Sequence, residues 1–196
     1  MLELSNLIAL RNDRELFSPV TIALSDGECL ELVGANGSGK STLLRTLASL
    51  HDQFIGRFTC ADYLYQGHRL GLDEVMTPLE NLSWFLGMEG LNSEEGRIRE
   101  VLERVDMQDF AHRPCSRMSQ GQKRRISVAR WMLSSRPIWI LDEPFSYLDL
   151  QGIQIVNQVI KEKCSKGGIV ICATHVPLLY EGKTERRLTP FDGLMR

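Results

Sequence analysis

The sequence predicts an α/β protein whose core is interrupted by a helical subdomain. Short apolar segments alternate with helical segments at both ends of the 196-residue chain, the pattern of a parallel sheet covered by helices. Residues 138–141 are wholly apolar, as expected for a strand buried on both faces. Apolar residues between about 73 and 133 recur at helical spacing instead. We therefore expect a single domain over 1–196, with a core lobe at about 1–72 and 134–196 and a helical subdomain at about 73–133.

The first part of the chain predicts strands, a loop and a helix in succession. Residues 2–9 are apolar and partly alternating, and Ser25–Glu28 is a strong turn signal. Residues 29–33 predict a short strand that is apolar except for Glu31. A Gly-rich segment follows directly. Leucines at positions 43, 44, 47 and 50 then predict a helix.

The middle of the sequence carries signals for a strand and for two helix starts, and its last part carries signals for strands. A short strand is predicted around Tyr63–Tyr65. Thr77, followed by proline, predicts one helix start, and Ser119 predicts the cap of another. Residues 169–173 predict a buried strand, and a further strand is possible at 186–189.

Composition excludes several classes of function. The net charge of −2 gives no general attraction to nucleic acid or to anionic lipid, so we expect no nucleic-acid partner. No apolar run approaches the roughly 18 residues that a membrane helix needs, and the N-terminus lacks a signal-peptide pattern. Five cysteines without a CxxC pair predict reduced, mostly buried thiols. We expect a soluble chain that contacts a membrane only through partners.

The most specific motif is a phosphate-binding loop between a predicted strand and a predicted helix. It fits GxxxxGK[ST] in full, with the residues Gly34, Ala35, Asn36, Gly37, Ser38, Gly39, Lys40 and Ser41. Glycines let the backbone curl so that several N–H groups point inward, and the helix N-terminus adds positive potential. Lys40 is expected to reach the β- and γ-phosphates of a nucleotide, and Ser41 to bind Mg²⁺.

Two adjacent carboxylates follow the apolar strand at 138–141. A strand that ends in Asp142 offers a carboxylate at the carboxyl edge of the sheet, beside the phosphate-binding loop, and we expect it to hold Mg²⁺. Glu143 is expected to orient and polarise a water molecule for in-line attack on the γ-phosphate.

A third motif, Met118-Ser-Gln-Gly-Gln122, resembles the signature LSGGQ of the ABC ATPase family, with Gln120 in place of the first glycine. The resemblance implies a P-loop NTPase core of the ABC type with an inserted helical subdomain. It also implies that the signature residues contact ATP held by a partner subunit: Ser119, Gln120, Gly121 and Gln122. We expect Lys123, Arg124 and Arg125, which follow, on a solvated helix face.

Three more positions extend the resemblance over essentially the whole chain. Ser146–Asp149 matches the family's D-loop, which implies a role for Asp149 at the subunit contact. His175, after the strand 169–173, matches the switch histidine that contacts the γ-phosphate. The Q-loop glutamine falls on Gln66 by position after a strand, whereas counting back from Thr77 places Arg69 there instead.

The resemblance also implies how the ATP site is completed. Two ATPase subunits form a head-to-tail homodimer, in which Ser119 and Gly121 of one subunit contact the γ-phosphate held by Lys40 of the other. The position that usually stacks on adenine falls near Arg11, whose guanidinium plane can stack on a base. Adenine specificity, and therefore ATP as the nucleotide, follows from the family alone.

Flanking sequence narrows the resemblance to the cytochrome c biogenesis branch of the family, the haem-exporter ATPases. The segments concerned are 67–82, 139–145 and 167–178. This resemblance implies integral membrane subunits of the cytochrome c maturation system as partners and a peripheral place on the cytoplasmic face of the bacterial inner membrane. Leu82, Trp84 and Phe85 are either the groove that docks such a partner or ordinary core of the helical subdomain.

Other functions remain open at the level of sequence. Membrane subunits would choose the cargo, so another exported cargo is possible. A soluble ABC ATPase of DNA repair or translation would usually carry a long coiled-coil insertion or two tandem halves, and this chain has neither. A P-loop kinase would need a lid and an acceptor site, and would not need the motifs at 118–122 or 146–149.

Overall fold

The computed structural model describes residues 1–189. The chain forms two compact units. The first comprises Met1–Gly67, Arg136–Pro144 and the chain from Ile160 onward, and the second comprises His68–Ser135 and Phe145–Val159. Residues 190–196, which the expected core lobe includes, lie outside the described part of the chain.

The first unit contains a five-stranded parallel sheet in the order β6-β7-β8-β4-β9. Its strands, in chain order, are β4 (Cys29–Val33), β6 (Tyr63–Gln66), β7 (Ile138–Asp142), β8 (Ile169–Ala173) and β9 (Lys183–Arg187). All five residues of β7 and of β8 are buried, as the apolar runs predict. The carboxyl ends of the parallel strands meet at one edge, so the residues that follow them are neighbours.

An antiparallel sheet completes the strands of the first unit. It joins β1 (Leu2–Arg11) to β2 (Arg14–Glu15), β3 (Val20–Leu24) and β5 (Phe54–Cys60). Helix α1 (Lys40–Leu47) packs against β1, β7 and β8, and its leucines enter the hydrophobic core between the sheets. Strand β5 is not among the predicted strands, and the last strand, considered possible at 186–189, begins at Lys183 instead.

The second unit is built from helices. These are α2 (Pro78–Met88), α3 (Glu95–Arg104), α4 (Gln120–Leu133) and the first part of α5 (Leu150–Ser165). Thr77 caps α2 and Ser119 caps α4, each in a reciprocal capping box with a residue three positions on. Both predicted helix starts are therefore confirmed. Over residues 1–189, no helix combines the length and the apolar character that crossing a membrane requires.

Candidate functional site

The phosphate-binding loop connects β4 to α1 in the first unit. Gly39, immediately before α1, has a φ of 92°, in the left-handed region that favours glycine. A Cβ atom there would lie 2.6 Å from the Phe17 ring, so the close packing of the loop also requires glycine. No side chain caps the N-terminus of α1 and its first turn carries no acidic residue. The first N–H groups of α1 are therefore available to an anion.

Two polar side chains of the loop, those of Lys40 and Ser38, are buried. Lys40 is 7% exposed, and its ammonium donates to the carbonyl oxygens of Gly34 at 2.8 Å and Ala35 at 3.1 Å. The hydroxyl oxygen of Ser38 is buried and, within residues 1–189, has no hydrogen-bond partner. A buried hydroxyl without a partner is unusual, and a phosphate oxygen would accept its hydrogen bond.

The Ser41 hydroxyl lies 3.0 Å from Oδ1 of Asp142 and donates to it. Ser41 is in the first turn of α1, and Asp142 is the last residue of β7 and is 2% exposed. A hydroxyl and a carboxylate oxygen are the hard donors that Mg²⁺ binds, usually together with water and substrate phosphates. No cluster of three or more His, Cys, Asp or Glu side chains suited to a metal occurs among residues 1–189. The Ser41 hydroxyl and the Asp142 carboxylate fit a cation whose other ligands are water and phosphate oxygens.

Glu143 and His175 face each other from the ends of neighbouring strands. The Glu143 N–H donates to the Ala173 carbonyl at 2.8 Å, and Nε2 of His175 lies 3.4 Å from Oε1 of Glu143. Glu143 has a φ of 51°, a conformation that costs energy for a residue with a Cβ and is often found at functional sites. The turn directs this carboxylate to the same sheet edge as Asp142.

Gln66 is the last residue of β6 and pairs with Leu141, next to Asp142 in the chain. Its amide donates to the Gly67 carbonyl at 2.9 Å, and the residue is buried. The alternative position, Arg69, belongs to the second unit and is exposed. Arg11, considered for adenine stacking, is exposed at the end of β1.

The signature residues and the D-loop aspartate lie together in the second unit. All of them except Gln120 line a cavity of about 270 Å³. Its lining residues are Asp106, Met107, Phe110, Ser119, Gly121, Gln122, Arg125 and Asp149. A Cβ atom on Gly121 would lie 2.8 Å from the Tyr147 carbonyl, so the start of α4 touches the D-loop backbone. Gln120, beside it, is exposed.

Arg125 connects α4 to the D-loop. Its guanidinium donates to Oδ1 of Asp149 at 2.9 Å and to the Val105 carbonyl at 3.1 Å, and lies 3.6 Å from Asp106. The Gly152 backbone N–H, and after it the Arg125 guanidinium, hold the pKa of the Asp149 carboxyl below its usual range. Asp149 is thus a charged and oriented side chain at neutral pH.

The expectation of a solvated face for Lys123, Arg124 and Arg125 is wrong. Lys123 and Arg124 are buried, and the Arg125 side chain is only 11% exposed. Lys123 pairs with Oε1 of Glu74 at 2.6 Å. Buried cations need such partners. Glu74 and Asp149 are distant in sequence from α4, so the sequence alone does not predict that they pair with Lys123 and Arg125.

Of the three residues considered for docking a partner, two are core. Leu82 is fully buried and Phe85 nearly so, packed inside the second unit. Trp84, in contrast, is 57% exposed on the other face of α2, and Met88 one turn later is exposed as well. The choice left open by sequence is thereby resolved for Leu82 and Phe85.

Comparison with known proteins agrees with this geometry. The model of the ABC transporter family matches residues 17–146. The chain belongs to this family, so the resemblance drawn from the motifs is confirmed. Its curated relatives include cytochrome c biogenesis ATP-binding export proteins named CcmA. That of Saccharophagus degradans is 35% identical over 86% of this chain and 84% of the relative. That of Methylococcus capsulatus is 37% identical over 90% of this chain and 91% of the relative.

Solved structures show the same fold. A putative ABC transporter ATP-binding protein from Pyrococcus furiosus superimposes with a TM-score of 0.86 over 95% of this chain and 96% of that chain, at 22% identity. An ATP-binding subunit of an ABC transporter gives a TM-score of 0.80 over 90% of this chain and 80% of that chain, at 23% identity. The predicted fold class, an α/β P-loop NTPase core with inserted helices, is confirmed.

Proposed function

We propose that this chain is the ATP-binding and ATP-hydrolysing subunit of an ABC transporter for haem export in cytochrome c biogenesis. The observation that carries the ATPase proposal is the 3.0 Å contact between Ser41 and Asp142 beside the phosphate-binding loop. The haem assignment rests on the relatives, which are named for cytochrome c biogenesis and export.

The loop binds the phosphates of ATP. Backbone N–H groups at the start of α1 and the Ser38 hydroxyl donate to phosphate oxygens, and the Lys40 ammonium exchanges its carbonyl partners for the β- and γ-phosphates. Ser41 and Asp142 would hold Mg²⁺, which would supply positive charge to stabilise the charge on the phosphates.

Hydrolysis uses the residues at the ends of β7, β8 and β6. Glu143 accepts a hydrogen bond from the attacking water and orients it in line with the γ-phosphate. His175, half-exposed and beside Glu143, donates to the γ-phosphate. Gln66, at the same sheet edge, helps to bind the attacking water and the cation.

The functional unit is a homodimer. Ser119 and Gly121 line a cavity with Asp149, whose charge and position are fixed by Arg125 and Gly152. We propose that this surface meets the γ-phosphate bound at Lys40 of a second copy. ATP then stabilises the closed dimer, hydrolysis releases it, and the difference in ATP affinity between the two states supplies the work.

A membrane partner receives this motion through the second unit. Trp84 and Met88, exposed one helical turn apart on α2, are the proposed contact with integral membrane subunits of the cytochrome c maturation system. The chain would then lie peripherally on the cytoplasmic face of the inner membrane.

Two measurements test the proposal. Phosphate release from ATP by the purified chain, measured with and without phosphate acceptors, separates an ATPase from a kinase. Acceptor phosphorylation would reject the ATPase. Complementation of a bacterium that lacks its own cytochrome c biogenesis ATPase tests the cargo through covalently bound haem in c-type cytochromes. ATPase activity without restored haem attachment would point to another exported cargo.

A further inference from the structure

Glu31 is a buried carboxylate that the proposed ATP chemistry does not use. It lies in the middle of β4, among apolar residues, and is 2% exposed. Burying a charge is costly unless it is paired and hydrogen-bonded. The partners of Glu31 therefore indicate what its position achieves.

One Glu31 oxygen is bound by the segment that connects β8 to β9, and the other by the first residue of β9. The Leu178 N–H donates to Oε1 at 3.0 Å, and the Lys183 ammonium donates to Oε2. Lys183 also donates to the Leu178 carbonyl at 2.8 Å. Glu31, Lys183 and the Leu178 backbone thus form a closed set of hydrogen bonds, which we name the Glu31–Lys183 clamp.

The clamp holds the chain just after His175. Leu178 is buried and follows His175 by three residues. On the other side of His175, the Thr174 hydroxyl accepts from the Val176 N–H at 3.0 Å and donates to the Val176 carbonyl. Ala173, where β8 ends, accepts from the Glu143 N–H. The backbone around His175 is therefore fixed from both directions, although its side chain is half-exposed.

We infer that Glu31 and Lys183 are positioning residues for His175, an inference that rests on the proposed function. Stability alone does not explain the clamp, because apolar residues of similar size often replace a buried ion pair without loss. The geometry of the clamp does explain its presence. Without the clamp, the turn after His175 would be unrestrained, and the imidazole would move away from Glu143 and from the γ-phosphate. A displacement of about 1 Å costs up to about 100-fold in rate.

The test combines amide exchange with a double-mutant cycle on the full chain. Lys183→Met and Glu31→Gln are the test variants, and Glu185→Gln is the matched control. Glu185 lies opposite Glu31 in the β4–β9 ladder but is exposed. Without nucleotide, amide exchange of residues 174–182 becomes about 10-fold faster in Lys183→Met and less so in Glu31→Gln, which retains an acceptor for Leu178. The control matches the wild type.

ATP turnover then shows whether the clamp acts through His175. Lys183→Met lowers kcat about 10-fold and changes the KM for ATP less than about twofold. The same substitution made in His175→Ala causes no further loss, because coupled residues are not additive. If thermal unfolding shows that Lys183→Met is poorly folded, Glu31→Gln replaces it in the double-mutant cycle with His175→Ala.

Unchanged exchange in both variants, or additive losses of kcat with His175→Ala, would overturn the positioning role. Equal effects of Glu185→Gln would do the same. A wild-type chain that hydrolyses no ATP would overturn the proposed function and this role with it. The exchange measurement needs no ATP, so the two failures are distinguishable.

Discussion

The Ser41 hydroxyl donates to Oδ1 of Asp142 at 3.0 Å, although 101 residues separate the two in the chain. The contact joins the start of α1 to the end of β7. It brings together one residue from each of two motifs that the sequence shows as separate segments. We expect ATP binding and hydrolysis to depend on this contact and on the residues beside it.

Ser41→Ala is expected to weaken ATP binding in the presence of Mg²⁺ by about 10- to 100-fold, the worth of a hydrogen bond or ligand to a charged group. Binding in EDTA should change much less, because the hydroxyl serves the cation rather than the phosphates. Titration calorimetry with and without Mg²⁺ measures both. Ser93→Ala, in an exposed loop, is the control. Equal losses with and without Mg²⁺ would contradict the assignment of Ser41 to the cation.

Lys40→Ala is expected to weaken ATP binding by about 100-fold, because charge-assisted hydrogen bonds to the β- and γ-phosphates are lost. ATP should lose more affinity than AMP, which has neither phosphate. Fluorescence titration with both nucleotides checks this. The exposed Lys166, changed to Ala, provides the same change of charge away from the site. ATP affinity equal to that of the wild type would refute the phosphate-binding role of the loop.

Glu143→Gln is expected to retain ATP binding and to lower turnover by about 100- to 10,000-fold, because an amide cannot accept the proton of the attacking water. The variant should accumulate as an ATP-bound dimer. Single-turnover phosphate release and size-exclusion chromatography measure these two outcomes. Exposed Glu181, changed to Gln, is the control. Wild-type steady-state hydrolysis in Glu143→Gln would remove Glu143 from the mechanism.

The parts of the site that are continuous in sequence were predictable. The phosphate-binding loop and the pair Asp142 and Glu143 follow from one principle: a strand that ends in chemistry-bearing residues places them at the sheet edge. Ser119 as a helix cap is equally local. The fold class followed from the same alternation of apolar segments.

Long-range pairing was not predictable. Lys123 and Arg124 carry charges, which predict exposure, yet both are buried. For Lys123 the reason is Glu74, an acceptor that reaches it from a distant segment. Strand β5 was missed because its mostly exposed residues and Gly56 give a weak apolar pattern. Glu31 was visible as an exception in an apolar strand, but its partner Lys183 is 152 residues away.

Gly121→Ala is expected to impair ATP-dependent dimerisation, because the added Cβ atom would lie 2.8 Å from the Tyr147 carbonyl and must displace the D-loop. ATP affinity of the monomer should be unchanged. Analytical ultracentrifugation in the Glu143→Gln background measures the dimer. Gly87→Ala is the matched control, because a Cβ atom there meets nothing within 4 Å. It should stabilise α2 by about 0.5–1 kcal/mol. Normal dimerisation by Gly121→Ala would argue against contact at this surface.

Arg125→Met is expected to raise the pKa of Asp149, but not to its usual value, because the Gly152 N–H, the larger cause, remains. A depressed folded-state pKa stabilises the fold above the unfolded-state pKa of about 3.9, and this contribution is lost as pH falls through the folded-state pKa. The difference in unfolding free energy between variant and wild type should therefore be largest near neutral pH and become smaller in acid. Carboxyl NMR titration reports the pKa, and urea unfolding between pH 2 and 7 reports the free energy.

The exposed Arg117, changed to Met, controls for the loss of one positive charge. It should leave the Asp149 titration as in the wild type. The lost hydrogen bond from Arg125 to the Val105 carbonyl does not titrate in this range, so it lowers stability by the same amount at each pH. The part of the difference that disappears in acid belongs to the carboxylates beside Arg125, Asp149 and Asp106, and the NMR titration of Asp149 identifies its share. An unchanged Asp149 pKa in Arg125→Met would show that backbone N–H groups, first that of Gly152, lower this pKa without help from Arg125.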